Sequence, residues 1–257
     1  MVNDSARFLL GLGQMRIASV AGLAALLAMN VGQPLRAASL QVAPVSIEVM
    51  APGAGAIIKL RNEGKTKINS QIRVFRWVQI DGQEKLQPTD EVVASPPMAR
   101  LAPGAEYTVR IVRLSKQPIA AEESYRLLID ELPDQKALSN RVINLVLRYS
   151  IPVFFLPANA EPAKLTWSVE QHNGRVQLSA VNEGDRHVRL AGLNVRDHNG
   201  THVSFGPGLT GYVLGRSTMQ WTAPATSRPL AVDNSVEISA VGDTGPIHAA
   251  PAVRPPH

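Results

Sequence analysis

The residues best equipped for chemistry are few and poorly placed to do it. Gly206-Pro-Gly-Leu-Thr-Gly211 satisfies the spacing Gly-x-Gly-x-x-Gly, which cradles a pyrophosphate where a strand turns into a helix. Here the next segment, Tyr212-Val-Leu, reads as strand, so a β-turn is expected. His198 and His202 stand four apart, a metal-ligand spacing on a helix, but they flank a turn, Asp197-His-Asn-Gly200. Asp130 and Glu131 are adjacent on a strand and point to opposite faces, unsuited to shared acid–base work. Neither a Gly-x-Ser-x-Gly elbow nor a His-Glu-x-x-His motif occurs. Cysteine is absent, which removes thiol catalysis, disulfides and cysteine zinc sites together. The expectation is no enzyme: no catalytic residues, no metal site and no cofactor. Trp77, Trp167 and Trp221 suit a core better than a ligand platform.

The chain is long enough, at 257 residues, for two domains of roughly 100–150 residues each. With 45% hydrophobic and 18% charged residues it has the balance of a protein with packed cores. Residues 1–38 read as a secretory signal: Arg16, an apolar run from Ile17 to Met29, then small residues at Ala37-Ala38. Residues 1–14 read as an upstream extension of a start at Met15. The apolar run is shorter than the ~20 residues a bilayer span needs, so the alternative of a membrane anchor is disfavoured. The formal net charge is +5; removal of the leader takes three arginines and one aspartate and leaves +3. The basic residues are scattered and lack interleaved aromatics, so no nucleic-acid partner is expected.

Beyond the leader the pattern is β throughout. Segments rich in Val, Ile, Leu and Thr recur at about 40–49, 56–62, 67–79, 91–95, 106–113, 123–131 and 141–156. Turn signals separate them, among them Asp81-Gly82 and Ala102-Pro103-Gly104. Pro157-Ala-Asn-Ala-Glu-Pro-Ala163 reads as a linker. Strands resume at 164–170, 174–181, 187–196, 201–205, 211–221 and 235–241, and 245–257 reads as a disordered tail. This predicts an all-β chain of two immunoglobulin-like β-sandwiches, 39–156 and 164–244, joined by the linker 157–163. Residues 57–73 and 177–193 echo one another at an offset of 120, each with Asn-Glu-Gly (62–64 and 182–184) between two strands. In that turn the Gly is expected to take positive φ and the Asn side chain to close the turn.

The elements therefore exist to position something other than a catalytic set, and the longest strand segment points to what. In Arg141 to Phe155, alternation places Ile143, Leu145, Leu147, Tyr149 and Ile151 on one face, and Val142, Val146, Arg148 and Phe154 on the other. Apolar residues on both faces imply cover on both sides. Either a neighbouring sheet or the second domain supplies that cover, or a partner protein does so by pairing along the edge.

Four passages in order give the chain a resemblance to the PapD-like periplasmic chaperones of chaperone–usher pili. They are Ser95-Pro-Pro-Met-Ala-Arg-Leu-Ala-Pro-Gly104, Glu123-Ser-Tyr-Arg-Leu-Leu-Ile-Asp-Glu-Leu-Pro133, Val142 to Pro157, and Val181-Asn-Glu-Gly184. The resemblance runs over about 39–241. It implies a periplasmic, non-enzymatic chaperone that fills the groove of an incomplete pilus subunit with its own edge strand and passes the subunit to an outer-membrane usher. It also implies no membrane anchor after leader removal. The donated side chains would be Ile143, Leu145, Leu147, Tyr149 and Ile151. Family members of the best-known type hold the subunit's terminal carboxylate with an Arg and a Lys. Here Pro44 and Pro152 stand at or near those places, and Leu127 and Ile129 replace an aromatic and an Asn. Tyr149-Ser-Ile-Pro-Val-Phe154 is similar to the archaic, spore-coat-U-type branch. Arg126 and Arg148 are then the candidate carboxylate anchors, with solvated surface arginines as the alternative. A rival reading is an exported immunoglobulin-like adhesion or structural protein that shares only the fold.

Overall fold

A computed structural model describes residues 40–133, 146–223, 230–231 and 236–253. The leader, and Ile143 and Leu145 of the candidate edge strand, lie outside the described residues. Every regular element among the described residues is a β-strand, and no helix there is long and apolar enough to cross a membrane.

The first sandwich uses ten strands. One sheet runs in the order β1 (Leu40–Ala43), β3 (Gly55–Asn62), β8 (Glu106–Arg113), β6 (Val92–Ser95). The facing sheet runs β2 (Ile47–Met50), β10 (Arg148–Leu156), β9 (Glu123–Leu132), β4 (Ile68–Ile80), β5 (Gln83–Pro88), and β7 (Met98–Leu101) also pairs with β4. Period-two alternation builds the core between them. Ile58 and Leu60 of β3 and Val109 and Ile111 of β8 point in, against Ile72, Leu127, Ile129, Val153 and Phe155 of the facing sheet. The first strand changes sheets midway: Leu40 and Val42 pair with β3, whereas Ile47 and Val49 pair in parallel with β10.

Two strands here have no counterpart in the sequence pattern. All six residues of β5 are exposed, so no apolar alternation marks it. It forms because Asp81 and Gly82, at φ 55° and 73°, make a two-residue hairpin turn that folds it back along β4. β7 follows the Ser95-Pro-Pro connection and buries Ala99 and Leu101.

The second sandwich pairs β16 (Thr218–Thr222), β12 (Arg175–Asn182), β11 (Leu165–His172) and β19 (Ala252–Val253) in one sheet. The other holds β14 (His202–Ser204), β13 (Val188–Arg196), β17 (Glu237–Gly242) and β18 (Gly245–Ala249), with β15 (Leu209–Val213) also on β13. Trp167, Leu178, Leu193, Val195 and Ile238 form its core, with Trp221 packed against it. The segment 211–221, read as one strand, is two strands, β15 and β16.

The expectation of a disordered tail from Gly245 is corrected. Gly245–Ala249 is β18, paired with β17 along its whole length, and β19 adds to β11. The signal was missed because β18 is an edge strand whose one bulky apolar side chain toward the core is Ile247.

The two Asn-Glu-Gly turns are built alike. Gly64 N–H donates to Asn62 Oδ1 at 2.9 Å, and Gly184 N–H to Asn182 Oδ1 at 3.0 Å. Each buried Asn amide then donates four residues onward, to Thr66 O and to Arg186 O, both at 2.8 Å. The glycine rationale is corrected: neither Gly64 nor Gly184 has positive φ. Gly184 is needed for close approach, since a Cβ there would lie 2.0 Å from the Pro162 carbonyl oxygen.

Candidate functional site

Strand β10 has two different halves. Val153–Phe155 are flanked on both sides, by β2 and by β9, and Leu156 pairs with β2. Arg148–Pro152 pair with β9 alone, and no strand among the described residues occupies their other side. Glu131 N–H donates to Leu147 O at 2.9 Å, and Ala51 N–H donates to Leu156 O at 2.9 Å. By alternation, odd-numbered residues of β10 direct their backbone groups to β9 and even-numbered ones to the opposite side. Along the open half the unpaired groups are thus N–H and C=O of Arg148 and Ser150. Proline has no N–H, so a ladder built on this edge loses a donor at Pro152.

The expected donated side chains divide along the strand. Ile151 is 4% exposed and packs with Val153 and Phe155 in the core of its own sandwich, so its assignment as a docking residue is corrected. Tyr149 is half-buried against the same core, and its hydroxyl donates to the Leu40 carbonyl. Leu147 lies beyond it and is half-buried, while Val146 on the other face is exposed. Alternation places Leu147, Tyr149 and Ile151 on one face; it carries no information on where along the strand the sandwich's own core ends.

The outer face of the β2–β5 sheet turns toward the second sandwich. Trp77 and Phe154 from this face meet Tyr212 and Leu214 in a small separate apolar cluster. The His187 ring stacks on Phe154, and its Nδ1 lies 2.7 Å from Glu122 Oε2. The same carboxylate oxygen accepts the His187 backbone N–H at 2.7 Å, and Oε1 accepts from Ser124 Oγ at 2.9 Å. The Gln79 side chain completes the join like a strand of one residue, donating to Tyr212 O at 2.8 Å and accepting from Leu214 N at 3.0 Å. At Phe154, then, the second sandwich supplies the cover. Sequence reasoning found Phe154 apolar on the unexpected face but missed Glu122, His187 and Gln79, whose partners are 65 or more residues away.

The two candidate anchors have different surroundings. Arg148 pairs with Asp130, which also holds Arg73 at 2.6 Å. For Asp130, burial raises the pKa, but hydrogen bonds and charge from Arg148 and Arg73 outweigh it and hold the carboxyl below its usual range. Arg148 therefore already has a carboxylate partner within its own sheet, which it shares with Arg73. Arg126 lies between Pro152 and Phe75 across the strands, and its guanidinium carbon sits 3.6 Å from the Trp77 ring centroid. Among the described residues it makes no ion pair, Glu84 acting on it only at longer range. Arg126 thus stands directly beside Pro152.

Residues 39–161 match the family described as pili and flagellar-assembly chaperone, PapD N-terminal domain. Over 85 residues the chain is 34% identical to Chaperone protein PapD of Escherichia coli, covering 32% of this chain and 35% of that protein. The match thus spans about a third of that relative's length. A chain from the CsuC–CsuE chaperone–tip adhesion subunit pre-assembly complex of the archaic Csu pili of Acinetobacter baumannii superimposes with a TM-score of 0.66 at 26% identity. That superposition covers 85% of this chain and 100% of the other. The Pseudomonas aeruginosa CupB2 chaperone shares the fold, with a TM-score of 0.55 at 19% identity over 82% of this chain and 100% of its own. The first sandwich, within the matched residues 39–161, thus belongs to the PapD-like pilus-assembly chaperone family.

Proposed function

We propose that this protein is a non-enzymatic periplasmic chaperone of the archaic chaperone–usher branch. It holds pilus subunits that lack a strand by donating its own β10 edge, and it delivers them to an outer-membrane usher. The observation that carries this reading is the open half of β10, flanked by β9 alone at Arg148–Pro152 and closed by β2 beyond. Arg148 and Ser150 offer backbone groups to an incoming strand, and the odd-numbered side chains Ile143, Leu145 and Leu147 fill the subunit's groove. Arg126 receives the subunit's terminal carboxylate, in place of the Lys that Pro152 cannot supply. The Csu complex of a chaperone with a tip adhesion subunit supports the choice of a pilus subunit as the partner.

Full burial of each Leu contributes roughly 1.5–3 kcal/mol, so losing two weakens the complex by about a hundredfold or more. The test is co-expression with the subunit encoded alongside. Leu145→Glu with Leu147→Glu is expected to abolish subunit recovery, while Val146→Glu on the opposite face leaves it intact. Full recovery with the double variant contradicts the reading.

A further inference from the structure

We infer that Trp77 and Tyr212 are positioning residues that clamp the Arg126 guanidinium from two different sandwiches, so that the grip on a carboxylate depends on the second sandwich as well as the first. This rests on the assignment of Arg126 above.

Four arginines stand on β4, β9 and β10, the strands around the open edge: Arg73, Arg76, Arg126 and Arg148. Three of them are held by carboxylates, Arg73 and Arg148 by Asp130 and Arg76 by Glu91 at 3.0 Å. Arg126 is held by rings instead. Its guanidinium carbon lies 3.6 Å from the Trp77 centroid and 5.3 Å from that of Tyr212. The two rings meet edge-on, 5.3 Å apart at 81°. A ring fixes a guanidinium through its face and makes no claim on the in-plane N–H groups, whereas a carboxylate consumes them. Its cross-strand neighbours, Phe75 and Pro152, have no side-chain hydrogen-bonding group to offer in competition.

The clamp is itself held. Trp77 and Tyr212 are both buried, and the Tyr212 carbonyl is fixed by Gln79. Burial disfavours the Arg126 charge, opposed by Glu84 and Tyr212. An incoming carboxylate compensates that cation directly, in a half-buried place where the attraction is weakly screened.

The experiment is a double-mutant cycle on the full chain co-expressed with its subunit, read as subunit retained per chaperone. Tyr212→Phe keeps the ring and is expected to retain subunit within about twofold of the parent. Tyr212→Leu keeps an apolar side chain but loses the ring, and is expected to lower retention about three- to tenfold, in line with one cation–π contact. In an Arg126→Ala background the same Tyr212→Leu change is expected to add nothing. An equal loss in both backgrounds overturns the inference, because Tyr212 then acts only through packing. If Arg126→Ala retains subunit fully while Leu145→Glu with Leu147→Glu loses it, the anchor and its clamp both fail and strand donation stands. If Tyr212→Leu does not fold, the Nε–H resonance of Arg126, identified by its loss in Arg126→Lys, decides. A ring-shifted position supports the clamp, and a position typical of a solvated arginine overturns it.

Discussion

The imidazole of His187 lies flat on the ring of Phe154, their centroids 3.4 Å apart and their planes 9° from parallel. Phe154 belongs to the doubly paired half of the edge strand, and His187 immediately precedes β13 of the second sandwich. One stack thus ties the half-open strand of the first sandwich to the second sandwich. The Glu122 carboxylate beneath it is almost fully enclosed.

His187→Ala removes the stack and one contact to Glu122, leaving a buried acceptor short of a partner. The expected cost is about 1–3 kcal/mol, read as a lower denaturant midpoint. His187→Phe, which keeps the stack alone, is expected to recover part of it. A midpoint unchanged in His187→Ala contradicts this account of the joint.

The paired turns make a second prediction. Asn62 and Asn182 are buried and each bonds several backbone groups of its turn, and their replacement by Ala is expected to cost about 1–3 kcal/mol at each site. Gly184→Ala is expected to destabilise strongly, because its Cβ meets the Pro162 carbonyl oxygen. Parallel chemical denaturation of the three variants checks the set, and a Gly184→Ala protein as stable as the parent contradicts the close-approach argument.

Acid stability gives a third. Asp197 accepts N–H bonds from Ala231 at 2.9 Å, Thr201 at 2.8 Å and Asn199 at 2.9 Å, which hold its carboxyl below the usual range. A lowered folded pKa means stabilisation that is present above the unfolded value of about 3.9 and is lost as pH falls through the folded one. The parent is therefore expected to lose more thermal stability than Asp197→Asn between pH 5 and pH 3. Equal losses contradict the assignment.

Much of this was legible in the sequence, and what was not had physical reasons. The Asn-Glu-Gly echo announced two related modules because the turn's hydrogen bonds are local to five residues. Its glycine was misread, since the carbonyl of Pro162 comes from the linker and leaves no mark at Gly184. Arg126 and Arg148 stood out as cations on apolar strands. Only the register of β9 against β10 and β4 shows that Asp130 takes Arg148 and that Trp77 takes Arg126. Ile151 shares a face with Leu147, yet the sandwich's own core ends between them, at Tyr149. β5 and β18 were invisible because edge strands need little apolar signal.

Amide hydrogen exchange at Arg148 and Ser150, with and without bound subunit, tests strand donation most directly. In the free chaperone both N–H groups are expected to exchange fast, and in the complex to slow by about a hundredfold or more as a new ladder forms. The Tyr149 and Val153 amides, directed to β9, serve as internal standards that stay slow throughout. Protection of Arg148 and Ser150 already present without a subunit, or unchanged on binding one, contradicts the account.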